Sequence, residues 1–223
     1  VVSSTAMAAI VQYQVGLYNT LVVELPSYLV VLEAPLYESV SKAVLAKIKQ
    51  RWPAKPIKYV VNTHFHFDHS GGLRTYAAEG AEVVVASQVR DYFDAAMKAP
   101  HTVNPDALAK APRAVTVTGV TSSMRITDGS RSVVLYNIKQ SHSDGHLIAH
   151  IEDAKLLFVT DLYSPGLLGP NPMTAAPGRL NQFAKDLVKS LSDLGLDETK
   201  VQTFAGGHGG ASGTFTELRT FAK

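Results

Sequence analysis

The chain contains no cysteine, which excludes disulfides, thiolate metal sites and cysteine nucleophiles together. No apolar run approaches the roughly 18 to 20 residues that a membrane-spanning helix needs, so no membrane partner is expected. Charge is sparse: 18% of the 223 residues are Asp, Glu, Lys or Arg, and the formal net charge is +2. The basic residues are scattered rather than gathered into a stripe, which argues against a nucleic-acid partner. There is no internal repeat and no low-complexity tract. What the chain does have is 46% hydrophobic residues, enough to bury a sizeable core in one domain covering 1–223. It begins at Val1 rather than methionine, as expected if a leader has been removed. A soluble protein is expected; cytoplasm and periplasm both stay open, and so does the oligomeric state.

Short apolar runs separated by turn residues set the organisation. Leu21–Val23 and Tyr28–Leu32 read as strands joined through Pro26-Ser27. Val40, Val44, Leu45, Ile48 and Trp52 recur at helical spacing, and Pro53 and Pro56 end that helix. Trp52 reads as core. Ile57 to Thr63 reads as a buried strand, Gly71-Gly72 as the start of a helix to Glu79, Glu82–Ala86 as a strand and Gln88–Lys98 as a helix. The segment from Ala99 to Arg113, with three prolines, reads as a surface excursion. Strands follow at 115–118, 124–127, 132–137, 147–151 and 156–160, with turns at Asp128-Gly129 and Glu152-Asp153. The Pro- and Gly-rich segment 163–178 reads either as a substrate lid or as a packed connector. Leu180, Phe183, Leu187, Leu191 and Leu194 mark a helix, and 201–205 a last strand. Elements mixed in this order imply a layered α/β or α+β domain.

The chemistry concentrates in Thr63-His64-Phe65-His66-Phe67-Asp68-His69-Ser70-Gly71-Gly72. Three histidines and an aspartate within six residues offer the nitrogen and oxygen donors that a borderline cation such as Zn²⁺ accepts. In extended backbone His64 and His66 point to one side, while Asp68 and His69, past the strand, are free to aim at a second position. The two glycines are expected to let the backbone approach the metals. Of the other histidines, His101, His146 and His150 read as structural or surface residues.

The chain resembles the metallo-β-lactamase-fold hydrolase superfamily, whose His-x-His-x-Asp-His motif follows a buried strand. Three later motifs appear in the same order: Ser141-His142-Ser143-Asp144-Gly145, Asp161 at the end of an apolar strand, and Gly206-Gly207-His208-Gly209. The resemblance runs from about Leu17 to Gly210. It implies a four-layer αβ/βα sandwich of two mixed sheets flanked by helices. It also implies two divalent metal ions, zinc first with iron or manganese as alternatives. His64, His66 and His142 would bind one ion; Asp68, His69 and His208 the other; Asp161 would bridge them. The implied reaction is attack by a metal-bridging hydroxide on a small-molecule ester, lactone, thioester or amide, with Asp68 also orienting the hydroxide and passing a proton to the leaving group. Tyr163, two residues after Asp161, is a candidate substrate contact.

Departures from individual branches narrow this reading. The main lactamase branch uses a cysteine at the second metal, and none exists here, so weak β-lactam turnover at most is expected. Glyoxalase II-like thioesterases append a helical region after the final histidine, where this chain has a short tail. The insertions and basic surfaces of nuclease branches are missing, and His66 stands where flavodiiron proteins carry glutamate. The alternatives are a mononuclear iron sulfur dioxygenase, and a binding protein that has kept the fold and lost turnover.

Overall fold

Residues 147–159 show how the layers arise. Every residue of Leu147–Ile151 and Leu156–Val159 is buried, but alternate residues enter two different cores. Leu147, Ala149, Ile151, Leu156 and Phe158 join one apolar cluster; Ile148, Leu157 and Val159 join the other. The period-two alternation of a strand sends successive side chains to opposite faces, so a sheet apolar on both faces must be covered on both.

The computed structural model describes residues 3–7, 10–165, 177–210 and 212–223, with side chains for 10–165, 182–210 and 212–223. Its first sheet orders seven strands as they occur: β1 (Ser3–Met7), β2 (Ile10–Val15), β3 (Tyr18–Glu24), β4 (Leu29–Leu32), β5 (Ile57–Val61), β6 (Glu82–Ala86) and β7 (Val117–Val120). The first four are antiparallel neighbours, and β4 to β7 run parallel. Helices α1 (Glu38–Arg51), α2 (Phe67–Ser70), α3 (Leu73–Ala78), α4 (Arg90–Lys98) and α5 (Ala107–Lys110) lie between the parallel strands. The second sheet contains β8 (Ser123–Asp128), β9 (Arg131–Asn137), β10 (Leu147–Ile151), β11 (Leu156–Val159), β12 (Thr203–Gly206) and β13 (Ser212–Gly213), ordered β13-β12-β11-β10-β9-β8. Only β11 and β12 are parallel in it. Helices α6 (Pro177–Asp193) and α7 (Phe215–Phe221) supply the outer cover, through Leu187, Leu191 and Leu218. Two mixed sheets with flanking helices are the architecture implied by the sequence. Among the described residues no helix is long and apolar enough to cross a membrane.

The expected elements are present with small shifts; β7 lies at 117–120 rather than 115–118. The excursion at 99–113 is more firmly attached than its prolines suggested. Asp106 caps α5 by accepting from the Ala109 N–H at 2.8 Å, and Leu108 is buried. Arg74 donates to Asp106 and to the Ala96 and Met97 carbonyls. Strands β1 and β2 and helix α7 have no counterpart in the sequence reading. Gln12 and Gln14 interrupt the apolar pattern of β2. The start of α7 is a capping box between Thr214 and Glu217, a signal present in the sequence.

Candidate metal centre

The topology gathers the cluster before any side chain is considered. Strand β9 is antiparallel to β10, β10 to β11, and β11 is parallel to β12, so β9, β11 and β12 all end on one edge. His142 follows β9, Asp161 follows β11 and His208 follows β12, while His64 to His69 follow β5. Loops at the carboxyl ends of strands from both sheets therefore converge on one place. The backbone does not stay extended through the first motif. Strand β5 stops at Val61, residues 63–65 form a bend, and Phe67–Ser70 make one helical turn. His64 and His66 share a target because of that bend, not because of strand alternation.

Two triads result. His64 Nε2 lies 3.0 Å from His66 Nδ1 and 3.2 Å from His142 Nε2. His69 Nε2 lies 3.0 Å from His208 Nε2 and 3.5 Å from Asp68 Oδ2. Asp161 stands between them. Its Oδ2 is 3.0 Å from His142 Nε2 and 3.6 Å from His64 Nε2; its Oδ1 is 2.8 Å from His208 Nε2 and 3.0 Å from His69 Nε2. Asp161 adopts a left-handed φ of 52°, a conformation that costs energy in a non-glycine residue and recurs at functional sites. The groups His64, His66, His142 and Asp161, and likewise Asp68, His69 and His208, could each hold a cation.

The electrostatics differ between the triads. Burial, followed by the neighbouring imidazoles of His146 and His69, lowers the His64 imidazole far below its ordinary value. Burial and His142 lower that of His66. Both rings are therefore neutral and keep a free lone pair. Burial also opposes protonation of His69, but Glu33 and Asp161 override it and raise the imidazole to about 11. The two carboxylates that favour a positive charge on this ring would equally favour a cation bound beside it. Burial disfavours the Asp161 carboxylate, yet His142, His208 and His69 hold its pKa well below the ordinary value.

A family model described as the metallo-beta-lactamase superfamily matches residues 16–208, from the β2–β3 turn to the last histidine of the cluster. The chain belongs to this superfamily. Its members are mostly metal-dependent hydrolases, and they typically bind divalent ions such as zinc. Solved structures share the fold. A metallo-beta-lactamase from Pontibacter korlensis is 18% identical with a TM-score of 0.66, covering 99% of this chain and 91% of that one. The DIM-1 metallo-beta-lactamase is 16% identical with a TM-score of 0.68, over 99% and 95% of the two chains. FIM-1 from Pseudomonas aeruginosa, solved in its mono-zinc form, is 14% identical with a TM-score of 0.67, over 99% and 93%. A search of curated proteins returned no match.

Around the superfamily cluster lie supporting residues that belong to none of its motifs. Glu33, at the end of β4, is buried with a φ of 76°. Its Oε2 contacts His69 Nδ1, and its Oε1 accepts the Thr63 N–H at 2.8 Å. One carboxylate thus orients two parts of the motif. A lone acid closing the apolar run Leu29–Leu32 was the available signal. Thr63 Oγ1 lies 3.0 Å from His64 Nδ1 and 2.8 Å from Thr160 Oγ1. His146 is fully buried and stacks on His64, centroids 4.8 Å apart and planes 14° apart. His150 is buried against the Lys200 carbonyl, and His101 pairs with Asp106. Replacing Glu33 with alanine strands the Thr63 N–H and the His69 imidazole, at a cost of about 1–3 kcal/mol per orphaned buried group. The melting temperature of the metal-free protein should fall by several degrees, and Glu33→Gln should fall less. An unchanged melting temperature in Glu33→Ala would remove Glu33 from this role.

The motif glycines and Tyr163 also depart from expectation. Gly71 and Gly72 do not open a path to the metals. A Cβ on Gly71 would lie 1.8 Å from the Leu36 carbonyl oxygen, and one on Gly72 would lie 2.0 Å from Ser41 Oγ. The glycines instead let the motif dock on the loop after β4, where the Leu36 N–H donates to Asp68 O and the Ala34 N–H to His69 O, each at 3.2 Å. Tyr163 is not at the cluster. It is 2% exposed and packs edge-on against Phe204 and Phe221 in the outer core. Its apolar ring follows Leu162 into that core and away from Asp161. Of the segment 163–178, expected to be a substrate lid or a packed connector, residues 166–176 lie outside the described residues. Aromatic side chains do flank the cluster elsewhere. Tyr18 packs on His208 and His69, Tyr37 on Phe67, and Phe183 on His142. Burial, then the Asp68 and Asp161 carboxylates, raise the Tyr18 hydroxyl above its ordinary value.

Proposed function

We propose that this superfamily member is a two-metal hydrolase acting on small esters, lactones, thioesters or amides. The observation that carries the reading is Asp161, one carboxylate whose two oxygens face two separate triads. The donor chemistry fits a pair of cations. Imidazole nitrogens 3.0–3.2 Å apart bring several nitrogen donors within reach of a single cation. Asp161 Oδ1 is buried and has no hydrogen-bond partner, although two imidazoles lie close to it. Nitrogen and carboxylate donors suit Zn²⁺ first, with Fe or Mn as alternatives. Two such ions supply a water acidic enough to act as nucleophile near neutral pH and polarise an acyl carbonyl.

The chain's own residues carry the remaining work. His64, His66 and His142 would hold one ion and Asp68, His69 and His208 the other, and Asp161 would offer a carboxylate oxygen to each. Glu33 and Thr63 hold the rings of His69 and His64 by their outward nitrogens. Asp68 sits in the first turn of α2 with its side chain about one-third exposed (32%), open enough to exchange protons with solvent or with a leaving group. Among the described residues no lysine or arginine donates a hydrogen bond or ion pair to the cluster, and the flanking rings are aromatic. Both features favour an uncharged, partly apolar acyl group. The complete second triad weighs against a mononuclear iron dioxygenase. The absence of cysteine weighs against efficient β-lactam turnover.

A panel of neutral lactones, esters, thioesters and β-lactams, run beside metal-free protein, tests the proposal. The expected result is turnover of at least one carbonyl ester, lactone or thioester that disappears with the metal, and little β-lactam hydrolysis. Oxygen uptake on a glutathione persulfide, with no hydrolysis across the panel, would favour the dioxygenase instead.

A further inference from the structure

His208 is carried on a segment with few side chains to anchor it. Gly206, Gly207, Gly209 and Gly210 flank it. The tightness of the loop explains two of them: a Cβ on Gly207 would lie 2.1 Å from Thr160 Cγ2, and one on Gly206 would lie 2.7 Å from Pro165 Cδ. Gly209 has a φ of 82°, where a side chain would be strained. Glycine-rich backbone loses the most conformational freedom on ordering. Yet His208 Nε2 sits 2.8 Å from Asp161 Oδ1 and 3.0 Å from His69 Nε2. The restraint has to come from outside the loop.

Asn19, on β3 of the opposite sheet, supplies it. Its Nδ2 donates to the Gly206 carbonyl at 2.8 Å and to the Gly209 carbonyl at 2.5 Å, one on each side of His208. Both acceptors are carbonyl oxygens, so only the NH₂ end of the amide can face them. The Asn19 N–H donates to Gly207 O at 2.8 Å, the Gly209 N–H donates to Leu17 O at 3.0 Å, and Tyr18 pairs with His208 as an isolated antiparallel bridge. Asn19 is 1% exposed, so water cannot replace its amide. Gln14 adds a weaker bond from Nε2 to Gly209 O at 3.3 Å.

We propose that Asn19 is a positioning residue that sets His208 for the second cation, touching neither the cation nor the substrate. The inference rests on the two-metal reading and adds a site-selective role for a residue of the other sheet. Calorimetric titration of metal-free protein with Zn²⁺ tests it. The wild type should take up two equivalents. Asn19→Ser should weaken the second step by about 10–100-fold, the range for lost outer partners of metal ligands, and leave the first step unchanged. In a His208→Ala background, Asn19→Ser should cause no further loss, because the two residues act through one another. Equal weakening of both steps, or an additive loss in that background, would make Asn19 a general structural residue and overturn the proposal. Should Asn19→Ser fail to fold, Gln14→Ala removes only a half-buried bond to the same loop. It should weaken the second step alone by about threefold, the value of one ordinary hydrogen bond; a loss at both steps again overturns the proposal. A wild-type chain that takes up only one equivalent would overturn the two-metal reading itself, and the inference with it.

Discussion

Asp161→Ala should reduce metal content from about two ions per chain to one or fewer, and turnover should fall by on the order of 10³-fold or more. The size of the effect follows from the carboxylate's position. Among the described residues no other acidic side chain faces His142 and His208 at once, at 3.0 and 2.8 Å. Removing it takes a negative donor from both triads and leaves imidazoles crowded around an empty centre. Asp161→Asn makes the sharper comparison. The amide keeps one oxygen, but its NH₂ end has no lone pair to offer, so one triad should keep its ion and the other lose it. A single equivalent in Asp161→Asn beside two in the wild type is the expected result. Two equivalents in Asp161→Ala would mean that Asp161 bridges nothing.

Asp68→Asn should leave most of the metal bound but lower turnover by about 10²–10⁴-fold, the usual range for a general acid–base group. Asp68 differs from Asp161 in two respects that matter here. Its Oδ2 faces one triad alone, 3.5 Å from His69 Nε2, whereas Asp161 faces both, so its share of the binding is smaller. Its side chain is also more exposed, 32% against 15%, as a group that trades protons must be. Asparagine keeps the shape and removes the proton acceptor. Single-turnover rates together with metal content would separate the two roles. Unchanged turnover with both metals bound would remove Asp68 from proton transfer.

The superfamily, the layered fold and the seven polar residues of the cluster were legible in the sequence for a physical reason. Donor residues at the carboxyl ends of strands must appear in a fixed order with apolar runs before them, and four such motifs leave little freedom. The supports of the cluster were less legible. Glu33, Asn19 and Thr160 are single polar residues inside or beside apolar strands, and nothing local announces which loop each will meet. Asn19 reaches a loop 187 residues away. Tyr163 lies buried in the outer core against Phe204 and Phe221, because its proximity to Asp161 in sequence does not set the direction of its ring. The glycines of the first motif are close-approach points, but the approaching groups are the Leu36 carbonyl of the loop after β4 and the Ser41 side chain of α1. Only the packing of that loop decides this.

If one carboxylate holds two metal ions between two triads, the metal content of the chain must show it. Elemental analysis of protein purified without chelator tests it most directly. Close to two transition-metal ions per chain are expected, falling to about one in Asp161→Asn. A wild-type value near one, dominated by iron and unaffected by that substitution, would contradict it.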